Sequence, residues 1–236
     1  MRTNLNDREA RLLAMFIDGD NAQPSLIEHV LAETAKYGLV TTRRIYGDWT
    51  EPQMSGWKDA LHSLAVQPVQ QFRYTKGKNA TDSALIIDAM DLLHSGSVGG
   101  FCIVSSDSDY TRLATRIRES GMFVMGVGQS ITPKSFVNAC EVFVYTENLS
   151  PKKDKDRRVK EKSDSEWTKL VKQAIGMTSQ DDGWALLANV GSNLRKLNPA
   201  FDSRTYGHSQ LSQLVKSRQH LFEIKGKSPV RVRVKS

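Results

Sequence analysis

The strongest constraint in this sequence is an alternation. Short apolar runs recur through the first 145 residues, and a helical pattern separates each from the next. The runs lie at 12–17 (LLAMFI), 40–46, 69–72, 101–104 (FCIV), 122–127 (MFVMGV) and 142–145 (VFVY). Helical spacing covers 25–37, 56–66, 81–94, 110–120 and a short stretch at 133–139. The first helix is expected to start after Pro24 with Ser25 as its cap and to end at Gly38. Strands that are apolar almost throughout are buried on both faces, the situation of a strand in a parallel sheet. The pattern therefore predicts an α/β fold, a mostly parallel sheet with helices on both faces.

One segment cannot belong to any core. NLSPKKDKDRRVKEKSDSE, residues 148–166, holds one Leu, one Val and no aromatic residue among dense charge. It divides the chain into a domain at 1–148, a charged flexible linker at 149–165 and a second domain at 166–236. The charge divides at the same place. Residues 1–150 carry 14 Lys and Arg against 17 Asp and Glu, and the remaining residues carry 19 against 9. The overall +7 is thus a slightly acidic first half joined to a strongly basic second half, and the second half suits a polyanionic partner. No apolar run approaches the roughly 18 residues of a membrane span. Asp18 and Asp20 interrupt the one apolar stretch near the start, so neither a secretory signal nor a membrane role is expected, and the cytoplasm is the expected location. Cys102 and Cys140 sit among apolar residues and read as buried free thiols. The five histidines show no zinc-like spacing with them.

Open α/β sheets place their sites beyond the carboxyl ends of the strands, and the acids collect there. The first strand runs into FIDGDN, with Asp18, Asp20 and Asn21 beyond its tip. The strand at 101–104 runs into SSDSDY, with Ser105, Ser106, Asp107 and Asp109 beyond its tip. Asp82 opens the helix of KGKNATDSALIIDAM and can reach the same rim. Singly, Asp109 reads as a helix cap and Asp82 as a first-turn acid near the helix dipole. Asp18 at the core margin is costly without a partner. Three converging acid groups exceed what capping requires, and like charges need a cation between them. Oxygen-only ligands suit Mg²⁺ or Mn²⁺, which can lower the pKa of a water and stabilise in-line attack on a phosphodiester.

At these residues the sequence resembles the NYN domains of the PIN-like ribonuclease superfamily. The resemblance rests on FIDGDN at 16–21, RRIYGDW at 43–49, KGKNATDSALIIDAM at 76–90 and VSSDSDYTRLATRIRESG at 104–121, in that order. It implies a metal-dependent nuclease, usually acting on RNA, with Asp18, Asp82, Asp107 and Asp109 as catalytic, metal-binding acids. Asn21 is similar to the family's polar residue beside the first acid, and Asp88 matches a recurring family acid. Asp88 lies about 120° around the helix from Asp82, which assigns it a supporting or structural role. Asp20 and Asp91 read as surface acids. Ser105 and Ser106 stand where many relatives have glycine, and a hydroxyl there could bind water or phosphate. Lys76 and Lys78, before the helix, could hold a phosphate of the RNA.

The second domain begins with an amphipathic helix at 165–175. Helical spacing follows over 184–194, with Ala185, Leu187, Ala188 and Leu194 as core candidates, and again after Gly207. Alternation in LFEIKGKSPVRVRV reads as a hairpin, and helices followed by a hairpin suggest a winged helix. Here GWALLANVGSNL, NPAFDSRTYGHSQLSQLV and LFEI resemble the OST-HTH or LOTUS domain, which implies binding of RNA, single-stranded or G-rich and structured, and in some members docking of proteins. The expected RNA-binding cations are Arg195, Lys196, Arg204, Lys216, Arg218, Lys225, Lys227, Arg231 and Arg233, with Lys235 beside them. Arg231, Arg233 and Lys235 alternate and so share one strand face.

The combined expectation is a Mg²⁺- or Mn²⁺-dependent ribonuclease, an endonuclease by preference. Its first domain would cleave RNA and its second would capture it. The alternative is an RNA-binding regulatory adaptor with weak or absent catalysis. A homodimer or a protein partner through either domain is compatible with both. A haloacid-dehalogenase-type phosphohydrolase is disfavoured, because Ala22 follows the DGDN acids where that family has Thr or Val.

Overall fold

The computed structural model describes residues 11–72, 80–149, 164–179 and 181–235. The chain folds as two compact units that divide near residue 151. Most of the segment expected to be a linker, along with Lys76 and Lys78, lies outside the described residues.

The first unit is built on six parallel strands: β1 (Leu12–Asp18), β2 (Leu39–Gly47), β3 (Gln67–Gln70), β4 (Gly100–Val104), β5 (Phe123–Gly128) and β6 (Val142–Tyr145). Their order is β3-β2-β1-β4-β5-β6. The order reverses between β1 and β4, so a crevice opens beyond the carboxyl ends of those two strands. The helices are α1 (Ile27–Thr34), α2 (Lys58–Ser63), α3 (Ala80–Ser95), α4 (Thr111–Glu119) and α5 (Lys134–Ala139).

The central strands are buried on both faces, as their apolar runs require. Leu13, Met15 and Ile17 of β1 join Cys102, Val104, Met125 and Val127 on one face, packed with Ile27 and Val30 of α1. On the other face Phe16 meets Tyr46 and Phe101 edge to face, at centroid distances of 5.6 and 6.0 Å. Each such side chain contributes about 1.5–3 kcal/mol by leaving water. Helix α3 buries Thr81, Leu85, Ala89 and Leu93, a stripe at four-residue spacing, and packs near β1 and β2.

Several local expectations change. Ser25 is not a cap: Pro24–Leu26 form a 3₁₀ turn behind Gln23, and α1 starts at Ile27. β3 lies two residues earlier than its apolar residues suggested. It contains Pro68, which an edge strand tolerates because one side needs no donor, and Phe72 is left 47% exposed. Both cysteines are buried free thiols, and burial pushes the Cys102 thiol up to about 12.

The second unit contains α6 (Asp164–Gly176), β7 (Ala185–Leu186), α7 (Leu187–Leu197), α8 (Leu211–Lys216), β8 (Phe222–Lys225) and β9 (Arg231–Val234). The antiparallel sheet has the order β7-β9-β8. This is the expected helices-plus-hairpin arrangement, with one correction. Residues 184–186 are not helical, because Ala185 and Leu186 pair with Val232 and Arg231 and complete the wing sheet. Helix α7 therefore begins three residues later, Ala188 is exposed, and Val190 and Leu194 fill the core with Trp167, Val171 and Phe222. Gly207 closes a 3₁₀ turn over Ser203–Tyr206 in the left-handed region, at φ 82°, which delays α8 to Leu211.

Packing at β5 is tight enough to test. A Cβ on Gly126 would sit 2.5 Å from Phe143 Cδ2 and 2.9 Å from Cys140 Sγ. Gly126→Ala is expected to lose about 1–3 kcal/mol of stability, as overpacked cores do. Denaturant unfolding checks this, and an unchanged midpoint would contradict it.

Candidate functional site

Strand register brings the first acid and the fourth strand together. Ile17 pairs with Val104, so the next residues, Asp18 and Ser105, are lateral neighbours at the crevice. Asp18 is fully buried, and its carboxylate accepts three hydrogen bonds. Ser105 Oγ donates to Oδ2 at 2.8 Å, Asn21 Nδ2 donates to the same oxygen at 2.7 Å, and the Asp20 amide donates to Oδ1 at 3.1 Å. Burial raises the Asp18 pKa above its ordinary value. The Asn21 and Ser105 hydrogen bonds oppose that rise, and the charge of Asp82 adds to it.

Ser105 also accepts the Asp107 amide at 3.0 Å, so one hydroxyl ties the tip of β1 to the loop after β4. It is itself buried, and its expected role as a water or phosphate ligand gives way to a structural tie. Ser106 Oγ accepts the Gln129 amide at 2.8 Å and anchors the same loop beyond β5. Asp107, rather than Asp109, caps the following 3₁₀ turn: its Oδ1 accepts the Asp109 amide at 2.9 Å.

Helix α3 brings the third acid. Tyr110, fully buried and packed on Phe136, donates its hydroxyl to Asp82 Oδ1 at 2.6 Å. Burial, followed by the charges of Asp18 and Asp82, raises the Tyr110 pKa well above the ordinary phenol value, so the hydroxyl stays a donor. Asp82, Asp107 and Asp109 each bring a carboxylate oxygen within 4.8 Å of the others. Asp18, expected as a fourth ligand, falls outside this trio, although the charge of Asp82 acts on it, and its oxygens are occupied by the donors named above. Asp82 is raised by burial first and then by the charges of Asp107, Asp109 and Asp20, against the Tyr110 hydrogen bond. A cation held by the trio would relieve that repulsion, and three hard carboxylate oxygens without thiolate or imidazole suit Mg²⁺ or Mn²⁺.

Other expected residues fall elsewhere. Asp88 accepts Arg44 Nη1 at 3.0 Å and the Tyr46 hydroxyl at 2.8 Å, fastening α3 to β2. Asp20 and Asp91 are exposed. Two residues that pattern reading did not single out stand at the rim. One is Tyr110. The other is Asp48, a buried acid just beyond β2 that accepts from Thr50 and from Gln70 Nε2. Its signal was akin to the one that marked Asp18: an acid directly after a strand whose last three residues are buried.

A family model for the NYN domain matches residues 12–148, more than half of the chain. The chain belongs to the NYN family. This NYN unit, PIN-like in its parallel sheet, is followed by a match to the OST-HTH/LOTUS domain at 158–234, which agrees with the winged-helix-like second unit. Among curated proteins there is no significant match to the chain. Among solved structures, a Vibrio parahaemolyticus protein of unknown function is 16% identical, with a TM-score of 0.49, and the alignment covers 61% of this chain and 96% of that one. An uncharacterized Nitrosomonas europaea protein is 36% identical over 37% of this chain and 90% of its own, with a TM-score of 0.29. Among the described residues no helix is long and apolar enough to cross a membrane.

In the LOTUS unit the expected cations are unequal. Arg204 is bound to its neighbour Asp202, with Nε–Oδ2 at 2.9 Å and Nη2–Oδ2 at 2.6 Å, so its charge is already answered. Arg195 and Lys196 lie in the last turn of α7, and Lys216 ends α8. Arg218 donates to the Ser217 carbonyl. Lys225, Arg231 and Arg233 lie on the hairpin strands, and Lys227 in the turn between them.

The raised pKa of Asp82 carries a stability consequence. A carboxyl raised on folding binds its proton more tightly in the native state. Its contribution is therefore most favourable below its unfolded value and is lost as pH rises through the folded one. With chelator present, Asp82→Asn, which keeps an acceptor for Tyr110, is expected to melt higher than the parent protein near neutral pH. The gap should close as pH falls toward about 4. Thermal scans across pH test this, and a lower melting temperature at neutral pH would refute it.

Proposed function

We propose that the chain is a Mg²⁺- or Mn²⁺-dependent ribonuclease, cleaving internally, whose LOTUS unit captures the RNA. The observation that carries this reading is the carboxylate trio at the switch point of the sheet. Membership of the NYN family and the match to a LOTUS domain support it. In this reading Asp82, Asp107 and Asp109 hold the ion, with Asp18 beside them. When bound, such an ion lowers the pKa of a water and stabilises charge on a phosphodiester undergoing in-line displacement.

The protein's own share is orientation. Tyr110 holds Oδ1 of Asp82, and the Asp109 amide holds Oδ1 of Asp107, so neither carboxylate is free to rotate. Asn21 and Ser105 keep the Asp18 carboxylate in place at the crevice and its charge tolerable there. Such preorganisation lets the site meet a phosphate without rearranging its ligands.

The test is incubation of the purified chain with labelled single-stranded and G-rich RNAs, in Mn²⁺, Mg²⁺ or EDTA, beside Asp107→Asn. That variant keeps an acceptor for the Asp109 amide and should fold normally by circular dichroism. Metal-dependent cleavage is expected in the parent protein, falling by at least about 100-fold in the variant, the upper range for disturbing even a supporting group at a metal centre. RNA binding without cleavage in any metal would replace this reading with that of an RNA-binding adaptor.

A further inference from the structure

In the LOTUS unit, strand pairing separates the wing sheet into two unlike faces. Ala185, Phe222 and Val232 point into the core, with Ile224 and Val234 packed against it. Register then places Lys225 opposite Arg231 and Glu223 opposite Arg233 on the outer face. Trp184, immediately before β7, completes that face. Lys225 Nζ stands 3.8 Å from the centre of its ring and Arg233 Cζ 4.7 Å. Only 6% of Trp184 is exposed. One indole thus holds two long cations close together, with Arg231 directly across from one of them.

Among the described residues one ion pair is formed by this group, and Asp182 accepts the Trp184 amide at 2.9 Å. Glu223 accepts Arg233 Nε at 2.7 Å and Nη2 at 2.6 Å. Glu223 holds Arg233 and leaves Lys225 and Arg231 side by side, and a polyanion relieves the repulsion between them. Lysine and arginine side chains normally lose much rotamer freedom on binding a phosphate. Here the ring has already restricted two of them, by cation–π attraction. Lys225 and Arg231 pair directly across the strands, so their cations stand side by side on this face.

We propose that the backbone of single-stranded RNA lies across this outer face, its phosphates on Lys225 and Arg231, with Trp184 as the pedestal that positions Lys225 and with Arg233 held beside them by Glu223. The proposal rests on the reading that the LOTUS unit captures RNA, and it locates that capture on the wing sheet rather than on the helices. Because cations cover Trp184, the ring offers no free surface for stacking a base. Recognition here is by backbone charge and tolerates sequence.

The test measures binding of labelled single-stranded RNA to the full chain in EDTA, by fluorescence anisotropy over a range of salt. Lys225→Gln combined with Arg231→Gln is expected to weaken binding by about tenfold or more. The plot of log affinity against log salt should flatten by about 0.7 for each phosphate no longer neutralised. Lys169→Gln with Lys172→Gln removes equal charge from exposed positions on α6 and should flatten the slope by less than the value for a single phosphate. Trp184→Leu changes no charge yet should weaken binding by about threefold, the scale of one cation–π hold, and Trp184→Phe should restore it. If Trp184→Leu does not fold, the Lys225 and Arg231 pair decides. Equal weakening from the α6 pair, or greater weakening from Arg195→Gln with Lys196→Gln, would overturn the location while leaving RNA capture intact. No binding by the parent chain would overturn both.

Discussion

A carboxylate with no water around it must be answered by donors or by a cation, and Asp18 is such a carboxylate. It stands at the tip of the innermost strand, where its neighbours in the sheet are Tyr46 and the residue that follows Val104. Left unpaired there it would cost several kcal/mol. Ser105, Asn21 and the Asp20 amide supply the donors. Because Ser105 also takes the Asp107 amide, the hydrogen bonds that make Asp18 tolerable set the start of the acidic loop after β4. The rim of the crevice is organised around that one buried charge.

The opposite wall depends on apolar packing. The Thr81–Leu85–Ala89–Leu93 stripe seats α3 near the sheet, and Asp88 locks it to Arg44 and Tyr46 of β2. Phe136, between Phe143 and Tyr110, fixes the ring whose hydroxyl reaches Asp82. Aromatic contacts on one face of the sheet therefore decide where a carboxylate on a helix points. The mutual proximity of Asp82, Asp107 and Asp109 places like charges together, which opposes stability and makes the site receptive to a cation.

The second unit applies the same chemistry with the opposite sign. Its sheet is small, its inner face is apolar, and its outer face carries cations over a tryptophan. In the function proposed above, acids gathered by strand tips and bases gathered by a strand face are complementary devices for one polyanionic substrate.

Much of this was legible in sequence because it depends on local periodicity. Apolar runs such as FCIV can hardly avoid burial on both faces, so the parallel sheet and the position of its acids beyond the strand tips followed. Arg231 and Arg233 share a face because strand side chains alternate. Non-local pairing was not legible. Nothing in SSDSDY shows that Ser105 turns inward to Asp18 while Asp107 caps the turn, since that needs the register of β1 on β4. One local pairing was missed as well: Arg204 reads as a free cation until its fold onto Asp202, its near neighbour in the chain, is seen. Trp184 reads as helical until Ala185 pairs with Val232. By itself the sequence determined the elements, their burial and the chemical character of each rim, because these follow from the order of polar and apolar residues along the chain. Only the tertiary structure decided which oxygens meet and which hydroxyl ties them, because those depend on partners tens of residues away brought within 3 Å.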